Sequence, residues 1–299
     1  MNNFLLKRAS AAAVTSAVLL GGLGAASGST AIAAPTTATA ACSMSVGSIT
    51  AGGDIANTGV TASSPIKSSR GVGPHLFAPG LAKIASTWTT TVGVAGEDTT
   101  YGQVVINGTL YYGEYGHDST GKPTSSLKSL GVGYQGYKAI ESSFYWGKTV
   151  RGSDYRLRGD GVLYRYGPNR QVTRYAGYSA VKTMALISET LTYDTFLALT
   201  SGGALYTVHI PTSTAAPTVK KVRTSTWQNF DFLVAEKCGT QSTLLTAIDK
   251  DSGAAYLYAV GHANGAATVI QGLGKVPGTF KDPVYYLTTA EGTPSLFGE

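Results

Sequence analysis

The chain is poor in charge, in cysteine and in long apolar runs, and each shortage narrows what it can do. Only 13% of its 299 residues are charged, with 23 Lys and Arg against 17 Asp and Glu. The basic residues are scattered, so no Lys/Arg-rich cluster marks a nucleic-acid interface. After the N-terminal segment no stretch reaches about 18 consecutive apolar residues, the length a membrane helix needs. Helical periodicity is absent there too. The four histidines, His75, His117, His209 and His262, are far apart, and no D-x-[DN]-x-[DN]-G calcium loop occurs. Neither a metal nor a cofactor is therefore expected. The serine-nucleophile pattern G-x-S-x-G is missing. Among Glu114, Asp118, Glu141, Asp154 and Asp160, no spacing singles out the carboxylate pair that glycoside hydrolysis requires. Catalysis is the lesser expectation.

The N-terminus has a recognisable order. Lys7 and Arg8 precede an apolar stretch from Ala11 to Ala26, and Ala31-Ile32-Ala33 follows as a small-residue cleavage site. Charge, apolar core and A-x-A in that order predict a secretory signal peptide over residues 1–33. The mature protein is then expected to be secreted, extracellular and free of the membrane, with a net charge of about +4 once Lys7 and Arg8 are removed. The two cysteines, Cys42 and Cys238, are expected to pair in an oxidising compartment. Two unpaired thiols, or a lipid-anchored Cys42, are the alternatives.

Glycine (38) and tyrosine (18) are what the chain has in plenty. With frequent Ser and Thr they suit an all-β protein with many turns. Residues 34–73 are rich in Ala, Thr, Ser and Gly and are expected to form an N-terminal arm, in which MSVGSITAGG and IANTGVTASS are short strand candidates. From residue 74 to 299 the pattern tightens into a repeat. An apolar-aromatic pair recurs as Leu76-Phe77, Leu110-Tyr111, Leu163-Tyr164, Leu205-Tyr206, Ala255-Tyr256 and Leu296-Phe297, at intervals of 34, 53, 42, 50 and 41 residues. A second mark begins with an aromatic: YQGY at Tyr134 and WQNF at Trp227, with looser copies YSAV at Tyr178, WTTT at Trp88 and VPGT at Val276. Two marks with one period of 40–50 residues point to a repeat architecture.

Each unit holds three to four short runs of β-branched, aromatic and apolar residues, separated by Gly, Asp, Ser or Asn turns. That predicts a β-propeller of five blades of about 44 residues, with a sixth blade over residues 43–77 as the alternative. PHLFAP at Pro74 and PSLFGE at Pro294 are expected to be neighbours where the ring closes. The pairing of YQGY or WQNF with a later GDGVLY or SGGALY resembles the tachylectin-type five-bladed β-propeller lectins. The resemblance covers residues 74–299 and implies binding of N-acetylated amino sugars, with one site per blade. The varying intervals depart from a regular lectin array.

Aromatic faces stack on sugar rings, and amides read their edges. Tyr134, Tyr178 and Trp227, with Gln135 and Asn229, are accordingly the candidate ligand-binding residues. The competing and favoured role for the three aromatics is packing between neighbouring units. The arginines at 151, 156, 158, 165, 170 and 174 are expected on a solvated face, or else in an anion-binding groove. The expected function is non-catalytic carbohydrate binding. The alternatives are a secreted propeller glycoside hydrolase or lyase, and an extracellular protein-interaction scaffold. Carboxylates converging at a channel mouth would favour the enzyme, repeated shallow aromatic pockets the lectin, and a flat apolar patch the scaffold.

Overall fold

A computed structural model describes residues 41–168 and 171–299. The signal peptide expected over 1–33 lies outside the described residues. The described chain is all-β: 58% of it is strand, and a single 3-10 turn at Gly265–Ala267 is the helical exception among the named elements. No helix among the described residues is long and apolar enough to cross a membrane.

Three sheets have four strands each, with neighbours antiparallel. They are β9 (Tyr137–Tyr145) to β12 (Val172–Tyr175), β13 (Val181–Glu189) to β16 (Thr218–Arg223), and β17 (Phe232–Lys237) to β20 (Ile270–Lys275). The remaining nine strands form one curled sheet in two antiparallel parts. In one part, β1 (Ser43–Ile49), β2 (Asp54–Thr61) and β3 (Lys67–His75) are joined by β21 (Val284–Ala290), which pairs with β1 from Ser45↔Thr288 to Ile49↔Val284. The other part contains β4 (Ala82–Ala85), β5 (Trp88–Val92), β6 (Asp98–Ile106), β7 (Thr109–His117) and β8 (Pro123–Val132). A short parallel contact, Thr288 to Ala290 against Trp88 to Thr90, joins the two parts.

The innermost strands touch in a closed cycle, β4 to β9 to β13 to β17 to β21 and back to β4. They surround a narrow cavity of about 70 Å³, into which Leu296 also projects. The expected boundary between arm and repeat domain, at 73/74, falls inside β3. The segment is sheet from Ser43 onward, and Met44, Val46, Ile49, Ile55 and Val60 are all core residues. At Gly47 the small residue has a packing cause: a side chain there would collide with the Tyr286 ring. The Cys42–Cys238 disulfide is formed and fastens the entry to β1 onto the exit of β17.

The repeat is held by one device used five times. The turn glycines Gly53, Gly108, Gly161, Gly203 and Gly253 all have positive φ, between 72° and 94°. Each carbonyl accepts a hydrogen bond from the backbone N–H of an aromatic residue further on: Phe77, Tyr134, Tyr178, Trp227 and Phe280, at 2.8–3.2 Å. A Cβ on Gly53, Gly161 or Gly203 would meet the backbone of that same segment. Glycine is thus required both by dihedral and by space. Each aromatic packs in a different hydrophobic cluster.

Two sequence marks are thereby corrected. The counterparts of Tyr134 are Phe77 and Phe280, not Trp88 and Val276. Trp88 instead opens β5 and is fully buried beside Tyr115 and Tyr286. The expected contact of PHLFAP with PSLFGE is replaced by the β21–β1 pairing. The final segment instead lies along β13: Leu296 accepts from Glu189 N–H at 3.0 Å, and Gly298 N–H donates to the Ile187 carbonyl at 2.8 Å.

Candidate functional site

A cavity of about 870 Å³ lies between the β5–β8 wall and the β9–β12 sheet, and it opens at one end of the ring of innermost strands. Period-two geometry determines what each wall presents. On β6 and β7, Gln103 stands opposite Tyr112 and Tyr101 opposite Glu114, so Tyr101 and Tyr112 share one face, with ring centroids 5.9 Å apart. On β10 (Arg151–Arg158) burial alternates strictly. Arg151, Ser153, Tyr155 and Leu157 turn inward, while Asp154 and Arg156 turn to the cleft. Across the pairs, Ser142 stands opposite Asp154 and Phe144 opposite Gly152. Tyr166, on β11 (Leu163–Tyr166), is also opposite Asp154.

The cleft therefore has aromatic residues on both sides. Phe144 and Trp146 are 51% and 64% exposed, with ring centroids 5.9 Å apart. Such exposure of two adjacent large aromatics is unusual for residues with no ligand to meet. Arg156 is fixed beside them: its guanidinium lies 4.0 Å from the Tyr166 ring centroid and donates to Tyr134 Oη at 2.5 Å. The inner end is formed by Glu189, Glu236, Leu287 and Leu296, and residues Thr289 to Pro294 line the adjoining side.

Burial pushes the Glu189 carboxyl up to about 7, even though its two oxygens accept from Phe144 N–H at 2.8 Å and Leu296 N–H at 3.3 Å. Burial also raises Glu236, which accepts from Lys237 N–H at 2.7 Å. The Tyr112 hydroxyl is raised to about 12, first by burial and then by the neighbouring Glu114 charge. Burial and the Glu291 charge together raise Tyr101.

The sequence candidates fall elsewhere. Tyr178 and Trp227 are 9% and 6% exposed and belong to core clusters. Tyr134 is half-buried against Leu110 and Ile140, and its hydroxyl reaches the site through Arg156. Gln135 and Asn229 are exposed, on the turns that lead into β9 and β17. None of the five lines the large cleft.

The arginine-rich stretch divides by strand face rather than forming one surface. Arg151 is buried in a bidentate pair with Asp194 at 2.5 and 2.8 Å, and Tyr155 Oη donates to the same carboxylate at 2.6 Å. Arg165 is also buried and donates to the carbonyls of Pro211, Thr212 and Ser213. Arg158 pairs with Asp160 and Arg174 lies over Tyr164, while Arg170 lies outside the described residues. This corrects the expectation of a solvated arginine face. The sequence signal for this cleft is a break in the repeat. The run Phe144-Tyr145-Trp146 has no counterpart in the other units.

Among the described residues, His, Cys, Asp and Glu do not gather in threes at metal-ligand spacing. Compared with known proteins, the chain matches no family model and no curated relative.

Proposed function

We propose that the chain is a secreted five-bladed β-propeller that binds a saccharide, without catalysis, in the cleft between its β5–β8 and β9–β12 blades. The observation that carries the reading is the cleft itself: ligand-sized, open, and walled on both sides by exposed or half-exposed aromatics with polar edges. Stacking surfaces with Gln103, Asp154 and Arg156 between them are what a pyranose needs for its apolar face and its hydroxyl rim. Five-blade closure is supported by the cycle of five innermost strands, by the five glycine–aromatic locks, and by β21 completing the blade begun by β1. The resemblance to tachylectin-type lectins supports the same class of ligand, but with one dominant site instead of one per blade. Secretion rests on the N-terminal signal and on the disulfide.

A second reading, a glycoside hydrolase, has one observation in its favour: Glu189, held near 7, shares the cleft with Asp154 and Glu236. Against it, both Glu189 oxygens are occupied by backbone N–H groups, a tie between β9 and the final segment. A glycan array on the mature protein, followed by calorimetry and reducing-sugar assays on each hit, tests both. Binding without turnover, abolished by Trp146→Ala and Phe144→Ala with the thermal midpoint kept, is expected. Absence of any glycan binding at millimolar concentration refutes the proposal, and turnover lost in Glu189→Gln establishes the enzyme instead.

A further inference from the structure

We infer that the cleft selects saccharides carrying protonated amines over neutral N-acetylated or anionic ones. The inference rests on the saccharide reading above and specifies its ligand. Its ground is a reversal of charge. The protein as a whole is basic, with a formal net charge of +6. Among the described residues, the cleft is lined by four carboxylates, Asp154, Glu189, Glu236 and Glu291, and by a single cation, Arg156.

That cation is committed. It donates to Tyr134 Oη, lies against the Tyr166 ring, and has Asp154 at 3.8 Å. An incoming carboxylate would compete for it with Asp154. Of these carboxylates, Glu189 is tied to two backbone N–H groups and Glu236 feels the Lys237 charge, so Asp154 and Glu291 are the two that face the cavity with no ammonium beside them. Lys237, the neighbour of Glu236, donates to the Ser295 carbonyl. Just beyond the cleft, Glu114 and Lys128 lie on the same face of β7–β8.

The aromatics point the same way. An ammonium over the face of Tyr or Trp is attracted by the ring quadrupole, and Tyr101, Tyr112 and Trp146 line the cleft around the carboxylates. Burial raises Glu189 and Glu236, a cost that a bound cation would relieve. An acetamido group offers no charge to these partners, and a uronate adds a like charge.

The test uses three trisaccharides of matched size on the mature protein, measured by calorimetry at about pH 6, where sugar amines are protonated and the exposed carboxylates ionised. They are the glucosamine trimer, the N-acetylglucosamine trimer and the galacturonate trimer. The glucosamine trimer should bind about tenfold more tightly than its N-acetylated form, and the galacturonate trimer weakest of all. Raising the salt concentration should shrink the preference, since Glu291 is exposed. Glu291→Gln should cut the preference about fivefold with the fold unchanged. Equal or tighter binding of the N-acetylated trimer, or tightest binding of the galacturonate trimer, overturns the inference and leaves the saccharide reading standing. Failure of all three, together with an empty glycan array, overturns both.

Discussion

Replacing the seam aromatics should separate architecture from ligand binding, and Trp227 is the sharpest case. Its indole is 6% exposed and lies 5.4 Å from the Phe230 ring and 4.6 Å from the Tyr258 ring, between the β13–β16 and β17–β20 sheets. Trp227→Ala removes most of a side chain of about 200 Å² from a packed core, for which burial alone contributes about 5 kcal/mol. Partial collapse of the cavity brings the expected loss to about 3–5 kcal/mol. For a protein of this size that is a fall of roughly 6–20 °C in thermal midpoint. Tyr134, half-buried in the corresponding place, should cost clearly less, and Phe280, 1% exposed, should cost as much as Trp227. Calorimetric scans of the three Ala variants give the ranking, and titration with a glycan hit gives the binding. Stability should fall in the order of burial, with affinity retained in the folded fraction for Trp227→Ala and Phe280→Ala. If Trp227→Ala loses less than about 1 kcal/mol but no longer binds, the assignment of these aromatics to the seam is wrong.

Three further outcomes are expected. Cys42→Ser with Cys238→Ser opens a loop spanning a separation of 196 residues and should lower stability in urea by up to roughly 5 kcal/mol; a midpoint unmoved relative to the disulfide-bonded protein would refute this. Asp194→Ala leaves Arg151 buried without its partner and should cost about 3–5 kcal/mol, more than Asp160→Ala at the exposed Arg158 pair, as read by urea titration. Glu189 binds its proton more tightly folded than unfolded, because its folded pKa of about 7 lies above the 4.5 of a freely solvated glutamate. Its contribution is therefore full below about pH 4.5 and is lost as pH rises through 7, by up to about 3 kcal/mol, and Glu189→Gln should flatten that decline between about pH 5 and 8.

The legible parts of the chain were those that the repeat imposes on every unit. Leu110, Leu163 and Leu205, the apolar half of the recurring pair, are all buried. The disulfide followed from cysteine count and expected compartment. Within residues 43–73 the two strand candidates are strands β1 and β2, but the small residues imitated a loose arm; at Gly47 the small residue is required because the Tyr286 ring leaves no room. The arginines at 151 and 165 were misread because their partners, Asp194 and the carbonyls at 211–213, lie some forty residues away in another sheet. The cleft was hidden for a related reason. A site built where units differ leaves no periodic trace, and its aromatics come from four separate strands and a loop.

The five locks also divide each unit into an inner and an outer part. From lock aromatic to next turn glycine, the inner strands take 31, 27, 25 and 26 residues. From turn glycine to aromatic, the outer strands take 24, 26, 17, 24 and 27 residues, and the shortest excursion, Gly161 to Tyr178, carries the four-residue strands β11 and β12 beside the cleft. The unit beside the cleft is thus the one whose outer part is cut short. Lengthening the β11–β12 connection would raise one wall of the cleft without disturbing a single lock, which makes ligand reach a property tunable by insertion rather than by substitution.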